Sequence, residues 1–178
     1  MIQKVVENLK YATCDEIGLH VDFAAEDASR ADPNFLIECI EYFGSYLDHF
    51  MVCDTVGILN PDNAYNLISK LVENKGNTAI AVHFHNDMGL ALENTLQAVI
   101  AGASMISGTF SGIGERAGNV AIEQVLNGLR VRFGVEVDGI QYHAIPEVLE
   151  KLQSLGCRPS SPYSEACLLY TSPSPRDA

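Results

Sequence analysis

Short apolar runs of β-type alternate with amphipathic stretches of helical period along most of the chain, recurring at intervals of roughly 30 residues. The apolar runs are Gly18 to Ala25, His49 to Cys53, Thr78 to His85 and Ser104 to Phe110. Each is followed by a polar turn and then by a segment with helical periodicity: Asp32 to Tyr46, Pro61 to Asn74, Gly89 to Ala101 and Asn119 to Phe133. Met1 to Ala12 reads as a helix ahead of the first run, and Ile145 to Leu155 as one after the last, with Pro146 in its first turn. Asp32-Pro33 and Asn60-Pro61 place a capping side chain just before a proline that suits the first helical turn, and Asn119 is expected to cap the last helix of the series. Strand, helix and strand in repetition mean parallel strands joined by crossovers. Two architectures fit, a doubly wound open sheet and a closed eight-stranded barrel.

The polar residues help to choose. Glu26-Asp27, Asp54-Thr55, His85-Asn86-Asp87 and Ser111-Gly112 follow or end the four runs, so chemistry-bearing side chains crowd one rim. Barrels assemble active sites from several loops at that rim, whereas open sheets concentrate theirs at one switch point. The expected fold class is therefore α/β, the C-terminal half of a (β/α)8 barrel, with four βα units where a barrel needs eight. The expected organisation is a partial barrel over residues 1–135, the start of a linker subdomain over 136–166, and a non-native tail over 167–178 that looks like a translated sequencing adapter. The chain is then expected to be the carboxyl half of a longer protein, with Met1 not expected to be its native start.

Composition narrows the function classes. The 23 acidic and 11 basic residues give a formal net charge of -12, which disfavours nucleic acid or an anionic membrane as partner. Five cysteines without a CxxC pair or regular spacing indicate neither a disulfide framework nor a structural zinc site. No apolar stretch approaches the roughly 20 residues of a membrane helix, and no signal peptide is recognisable, so the expected location is cytoplasmic.

The most informative residues are His83 and His85 in the run Ala-Val-His83-Phe-His85-Asn86-Asp87. Residues two apart on a strand share a face, so both imidazoles can reach one metal ion. Two packed, hydrogen-bonded core histidines would give the same spacing. Gly112-Ile-Gly114 with Gly118 could imitate a dinucleotide fingerprint, but its spacing differs, it follows the last run rather than the first, and Glu115-Arg116 occupy the place of the phosphate. Glu26-Asp27 and Thr55 also fit a solvated pair and a turn residue.

Four segments taken together carry a resemblance over roughly residues 1 to 140. They are Glu26-Asp27-Ala-Ser-Arg30, Asp54-Thr55-Val56-Gly57, His83-Phe-His85-Asn86-Asp87-Met-Gly89, and Gly112-Ile-Gly-Glu115-Arg116-Ala-Gly118-Asn119. Their order and separations resemble the later half of the catalytic barrel of the isopropylmalate, homocitrate and citramalate synthase family, whose barrel is shared with the hydroxymethylglutaryl-CoA lyases. The resemblance implies a Claisen condensation of acetyl-CoA with a 2-oxo acid at a divalent metal, Mg²⁺, Mn²⁺ or Zn²⁺, followed by thioester hydrolysis. It assigns His83, His85 and Asn119 to the metal, Thr55 to the carboxylate of the 2-oxo acid, and Glu26 to the acetyl group. It also implies a homodimer for the full-length protein, and a further metal-binding aspartate on a strand outside this chain.

Two departures bear on the substrate. Lysine-pathway homocitrate synthases carry an arginine four positions before the glutamate, where this chain has Asp22, yet the run Glu26-Asp27-Ala-Ser-Arg30-Ala-Asp32-Pro33 is similar to nitrogen-fixation homocitrate synthases. Ser111 replaces the asparagine common before Gly112. The 2-oxo acid stays open. The alternatives are a metal-dependent lyase or aldolase of the hydroxymethylglutaryl-CoA lyase type, which would carry a cysteine in the glycine loop, and an inactive fragment.

Overall fold

A computed structural model describes residues 2–13, 17 and 19–157. The elements run α1 (Ile2–Ala12), β1 (Asp22–Ala25), α2 (Pro33–Phe43), β2 (His49–Asp54), α3 (Pro61–Asn74), β3 (Ala79–Phe84), α4 (Ala91–Ile100), β4 (Met105–Ser107), α5 (Ile122–Phe133) and α6 (Ile145–Ser154). The expected tail, Met1, Gly18, Cys14 and Cys167 lie outside the described residues.

All strand pairings are parallel, and the sheet order is β1-β2-β3-β4. Order that never reverses has no switch point, and right-handed crossovers then place every helix on one face. The helices accordingly pack in chain order, each of α1 to α4 against the next. This is an arc of a barrel, not a doubly wound sheet.

Strand alternation divides the residues cleanly. Phe50, Val52, Ile80, Val82 and Phe84 are buried at 1% exposure or less in the core beneath the helices, with Leu36, Ile40 and Phe43 of α2 and Ile68 and Leu71 of α3. The other face is concave and carries no helix. There the register aligns Ala24, Met51, Ala81 and Met105 in one layer and Cys53, His83 and Ser107 in the next layer toward the rim.

Helix starts follow the expected chemistry at two places: Asp32 accepts from the amide of Asn34 at 2.9 Å and Asn60 from that of Asn63 at 2.8 Å. A third differs. Asn119 does not cap α5; it forms an isolated antiparallel bridge with His85, Thr109 pairs with Ala121, and the helix begins only at Ile122. The predicted strand over Ser104 to Phe110 is cut to Met105–Ser107 by the same pairing, which draws Thr109 out of the ladder. Gly108 makes this possible, because a Cβ there would lie 2.7 Å from the Val120 carbonyl oxygen.

Candidate active site

The carboxyl ends of β1 to β4 and the loops after them bring the sequence-predicted residues to one rim, in two groups. In the first, the Thr55 hydroxyl donates to Oε2 of Glu26 at 2.8 Å and accepts from the amide of Asp27 at 2.8 Å. Glu26 and Thr55 are thus joined across the β1 and β2 loops. In the second, the rings of His83 and His85 stand edge to face with centroids 5.1 Å apart, and His85 is bridged to Asn119 through the backbone. The register sets Cys53, at the end of β2 just before Asp54 and Thr55, beside His83 on β3.

Local structure explains how each side chain arrives. His83 is the penultimate residue of β3 and faces the concave side, with Nδ1 sharing a hydrogen bond with the Ser107 hydroxyl at 3.1 Å on the neighbouring strand. That contact leaves the ring's other nitrogen to point elsewhere, an orienting role common beside metal-binding imidazoles. Burial, together with the neighbouring His85, holds the His83 pKa below the ordinary imidazole value. Neutral His83 is therefore the form present at neutral pH, the form a metal requires.

Asn119 closes the glycine loop. Its amide nitrogen donates to the Ile113 carbonyl at 3.0 Å, and its backbone N–H to that of Gly112 at 3.0 Å. Gly114 has to be glycine for this, since a Cβ would fall 2.5 Å from Nδ2 of Asn119. The amide bond to Ile113 fixes which end of the carboxamide faces outward. Oδ1 of Asn119 is then buried without a hydrogen-bond partner, and so is Nδ1 of His85. Buried polar atoms without partners are costly, and two on residues bridged to each other fit a group that would engage both.

The donor set is two imidazole nitrogens and one amide oxygen, a mixture that suits a borderline divalent ion. Among the described residues no three His, Cys, Asp or Glu side chains converge by themselves, so any ion here would draw further ligands from outside them. A cleft of about 510 Å³ between α5 and α6, lined by Asn127, Arg130, Glu136 and Tyr142, contains none of these residues. The candidate residues lie on the open concave face instead.

Several structural partners escaped the sequence reading. Asp54 is fully buried, and its carboxylate accepts from the amides of Ile58 at 3.1 Å and Leu59 at 2.9 Å, which ties down the loop behind Thr55. Glu123, also fully buried, accepts the Ser111 amide at 3.1 and 3.0 Å, and burial pushes its carboxyl up from the ordinary value. Asp22 faces His49 at 2.8 Å and His20 faces Asp48 at 3.0 Å. Among the described cysteines Cys39, Cys53 and Cys157 are free thiols, and burial pushes Cys53 up to about 12, which leaves it unreactive. Only the Asp54-Thr55 and Gly112 motifs hinted at these contacts; Ser107 and Glu123 gave no signal.

Comparison with known proteins decides the family. Residues 1–151 match the family model described as HMGL-like. The chain belongs to the HMGL-like family.

Within this family, curated relatives include the 2-isopropylmalate synthase of Sulfolobus acidocaldarius, 38% identical over 149 residues that make up 83% of this chain and 38% of that protein. Homocitrate synthase AksA of Methanosarcina mazei is 41% identical over 152 residues, 84% of this chain and 37% of the relative. (R)-Citramalate synthase CimA of Methanocaldococcus jannaschii is 37% identical over 165 residues, 90% and 33% respectively. The chain thus spans between 33% and 38% of the length of these relatives. The crystal structure of hydroxymethylglutaryl-CoA lyase from Pseudomonas aeruginosa superposes with a TM-score of 0.76 at 21% identity, covering 96% of this chain and 60% of that one. At that identity the likeness concerns the fold: the four-stranded sheet is the C-terminal half of a (β/α)8 barrel. No described helix is long and apolar enough to cross a membrane.

Proposed function

We propose that the rim of this half-barrel carries the condensation of acetyl-CoA with a 2-oxo acid, in which the acetyl methyl carbon bonds to the ketone carbon and water then releases CoA. The products are a 2-hydroxy acid of the alkylmalate or homocitrate type, with one carboxylate more than the oxo acid, and free CoA. The observation that carries the reading is the pair of buried, unpartnered atoms, Nδ1 of His85 and Oδ1 of Asn119, beside the edge-to-face imidazole of His83. His83, His85 and Asn119 would hold a divalent metal there, and the metal would supply Lewis acidity toward the ketone of the oxo acid.

The protein's own residues do the rest. Ser107 orients His83, and Ile113 orients the Asn119 carboxamide, so the donor set is arranged before any ligand binds. Thr55 would bind the oxo-acid carboxylate, with its hydroxyl turning from Glu26 toward the substrate. Glu26, released from that hydroxyl, would position the acetyl methyl group and accept its proton, since a carboxylate within hydrogen-bond reach of the reacting carbon can act as general base. Synthases among the relatives at 37–41% identity support this class, and the choice of oxo acid stays at the level of the class. The complete protein is proposed to act as a homodimer in the cytoplasm.

The test is CoA release from acetyl-CoA, measured against a panel of 2-oxo acids with Mg²⁺, Mn²⁺ or Zn²⁺, in a protein carrying all eight strands. One oxo acid should give turnover that chelation abolishes, and His83→Ala and His85→Ala should each abolish it while the fold, read by circular dichroism, persists. Turnover that survives both substitutions would remove the metal assignment.

A further inference from the structure

Among the described residues three non-glycine positions adopt positive φ, and all three lie in rim loops: Asp27 at 59°, Ser111 at 59° and Arg116 at 56°. Such backbone is disfavoured for a residue with a Cβ and persists only where surrounding contacts hold it, which makes it a pointer to function. Arg116 is the most informative of the three because its side chain reaches two other loops. Nε donates to Oδ1 of Asp87 at 2.7 Å, while Nη2 donates to Oδ2 of Asp87 at 2.9 Å and to the Thr55 carbonyl at 2.6 Å.

We propose that Arg116 is a positioning residue: its guanidinium, locked on Asp87, fixes the Thr55 peptide and so the place from which the Thr55 hydroxyl, held by Glu26 here, turns to the substrate. The inference rests on the functional reading given above, and it assigns Arg116 and Asp87 a part which that reading does not contain. The chain of contacts is continuous. It runs from Asp87 after β3, through Arg116 in the glycine loop, to the backbone of Thr55 after β2, and from the Thr55 side chain to Glu26 and the Asp27 amide after β1.

An ordinary surface ion pair does not account for this arrangement. Arg116 and Asp87 are partly exposed, and exposed pairs contribute little to stability. Here the planar fork engages both carboxylate oxygens, and the second hydrogen on Nη2 is turned onto a backbone carbonyl, a geometry lysine cannot reproduce. Gly57 shows how closely the loops are drawn together, since a Cβ there would lie 2.8 Å from the Asp87 amide nitrogen. The metal-directed atoms of His83, His85 and Asn119 make no hydrogen bond to Arg116, so its removal separates the acid group from the metal group.

The experiment is Arg116→Gly in the protein with the complete barrel. Glycine is at ease at φ 56°, so the turn survives while the guanidinium is lost. The expected result is a fall in kcat of about 10²-fold, the scale of a misplacement near 1 Å, with a raised KM for the 2-oxo acid and KM for acetyl-CoA nearly unchanged. Metal affinity by calorimetry should be unaltered, and added guanidinium ion should restore at least about tenfold of the lost rate. Asp87→Asn should cause a comparable loss, and the double variant no more than the worse single one. Arg132→Gln, which removes an arginine paired with Glu93 on the helical surface, should leave kcat as it was. An Arg116→Gly enzyme with unchanged kcat, or one whose rate and metal affinity fall together without rescue, overturns the role. A wild-type enzyme silent toward every 2-oxo acid overturns instead the functional reading, and the role of Arg116 with it.

Discussion

Substituting Gly57 by alanine isolates how tightly the rim loops are packed. Gly57 sits at φ 62°, and a Cβ built on it would lie 2.6 Å from Oδ2, 2.8 Å from the amide nitrogen and 2.9 Å from Cβ of Asp87. Two penalties combine. The left-handed backbone costs an alanine about 1–2 kcal/mol. The overlap adds about 1–3 kcal/mol, because the amide nitrogen belongs to a backbone that cannot swing away as a side chain could. Gly76 supplies the control, with φ 57° and nothing within 4 Å of the added carbon. Gly76→Ala should therefore lose only the backbone contribution of about 1–2 kcal/mol, and Gly57→Ala about 2–5 kcal/mol. Denaturant unfolding of both variants in the same complete-barrel background, compared by midpoint at constant m, gives the difference directly. Equal losses would refute the close approach of the β2 and β3 loops. The same comparison carries into activity, since only Gly57→Ala presses on the carboxylate that Arg116 holds.

Three further outcomes are expected. Ser107→Ala should weaken divalent-metal binding by about tenfold in calorimetry, because the His83 ring loses the hydroxyl that orients it; undiminished affinity would show that packing alone orients the ring. Asp54→Asn should destabilise by about 1–3 kcal/mol in the same unfolding assay, since one amide oxygen replaces a carboxylate that satisfies the buried N–H of Leu59 and the half-buried N–H of Ile58. Glu123, whose folded pKa is raised by burial, binds its proton more tightly folded than unfolded, so its contribution to stability is greatest at low pH and declines as pH rises from the ordinary carboxylate value through the folded value. Glu123→Gln should flatten that decline in stability measured against pH, and an unchanged profile would show that the buried carboxyl is not its source.

The strands were legible in the sequence because parallel strands covered on one face are short apolar runs, and β2, β3 and α3 fall where periodicity puts them. Boundaries were lost where side chains or bridges interrupt the ladder. β1 begins at Asp22, with residues 19–21 of the expected run outside it, since the Val21 amide is taken by the carboxylate of Asp48. α4 begins at Ala91 rather than Gly89, which occupies φ 70° in the preceding turn. At the site, alternation along a strand was enough to place His83 and His85 on one face, and the order of motifs brought Glu26, Thr55 and Asn119 to the same rim. What pattern could not reveal were contacts joining loops distant in sequence. Arg116 lies 61 positions from the Thr55 carbonyl it binds, and Glu123 lies 12 from Ser111.

Eight strands spaced evenly around a cylinder stand about 45° apart, so the arc from β1 to β4 covers about 135°. The candidate residues thus occupy one wall, and whatever lies between the walls of a complete barrel presents its far side to the other strands. In the proposed reaction the ketone and the acetyl methyl would be gripped here, while the variable substituent of the oxo acid would be read opposite. Exchanging the residues around that substituent between relatives would then retune the taste for substrate, provided any metal ligand on the facing wall is kept.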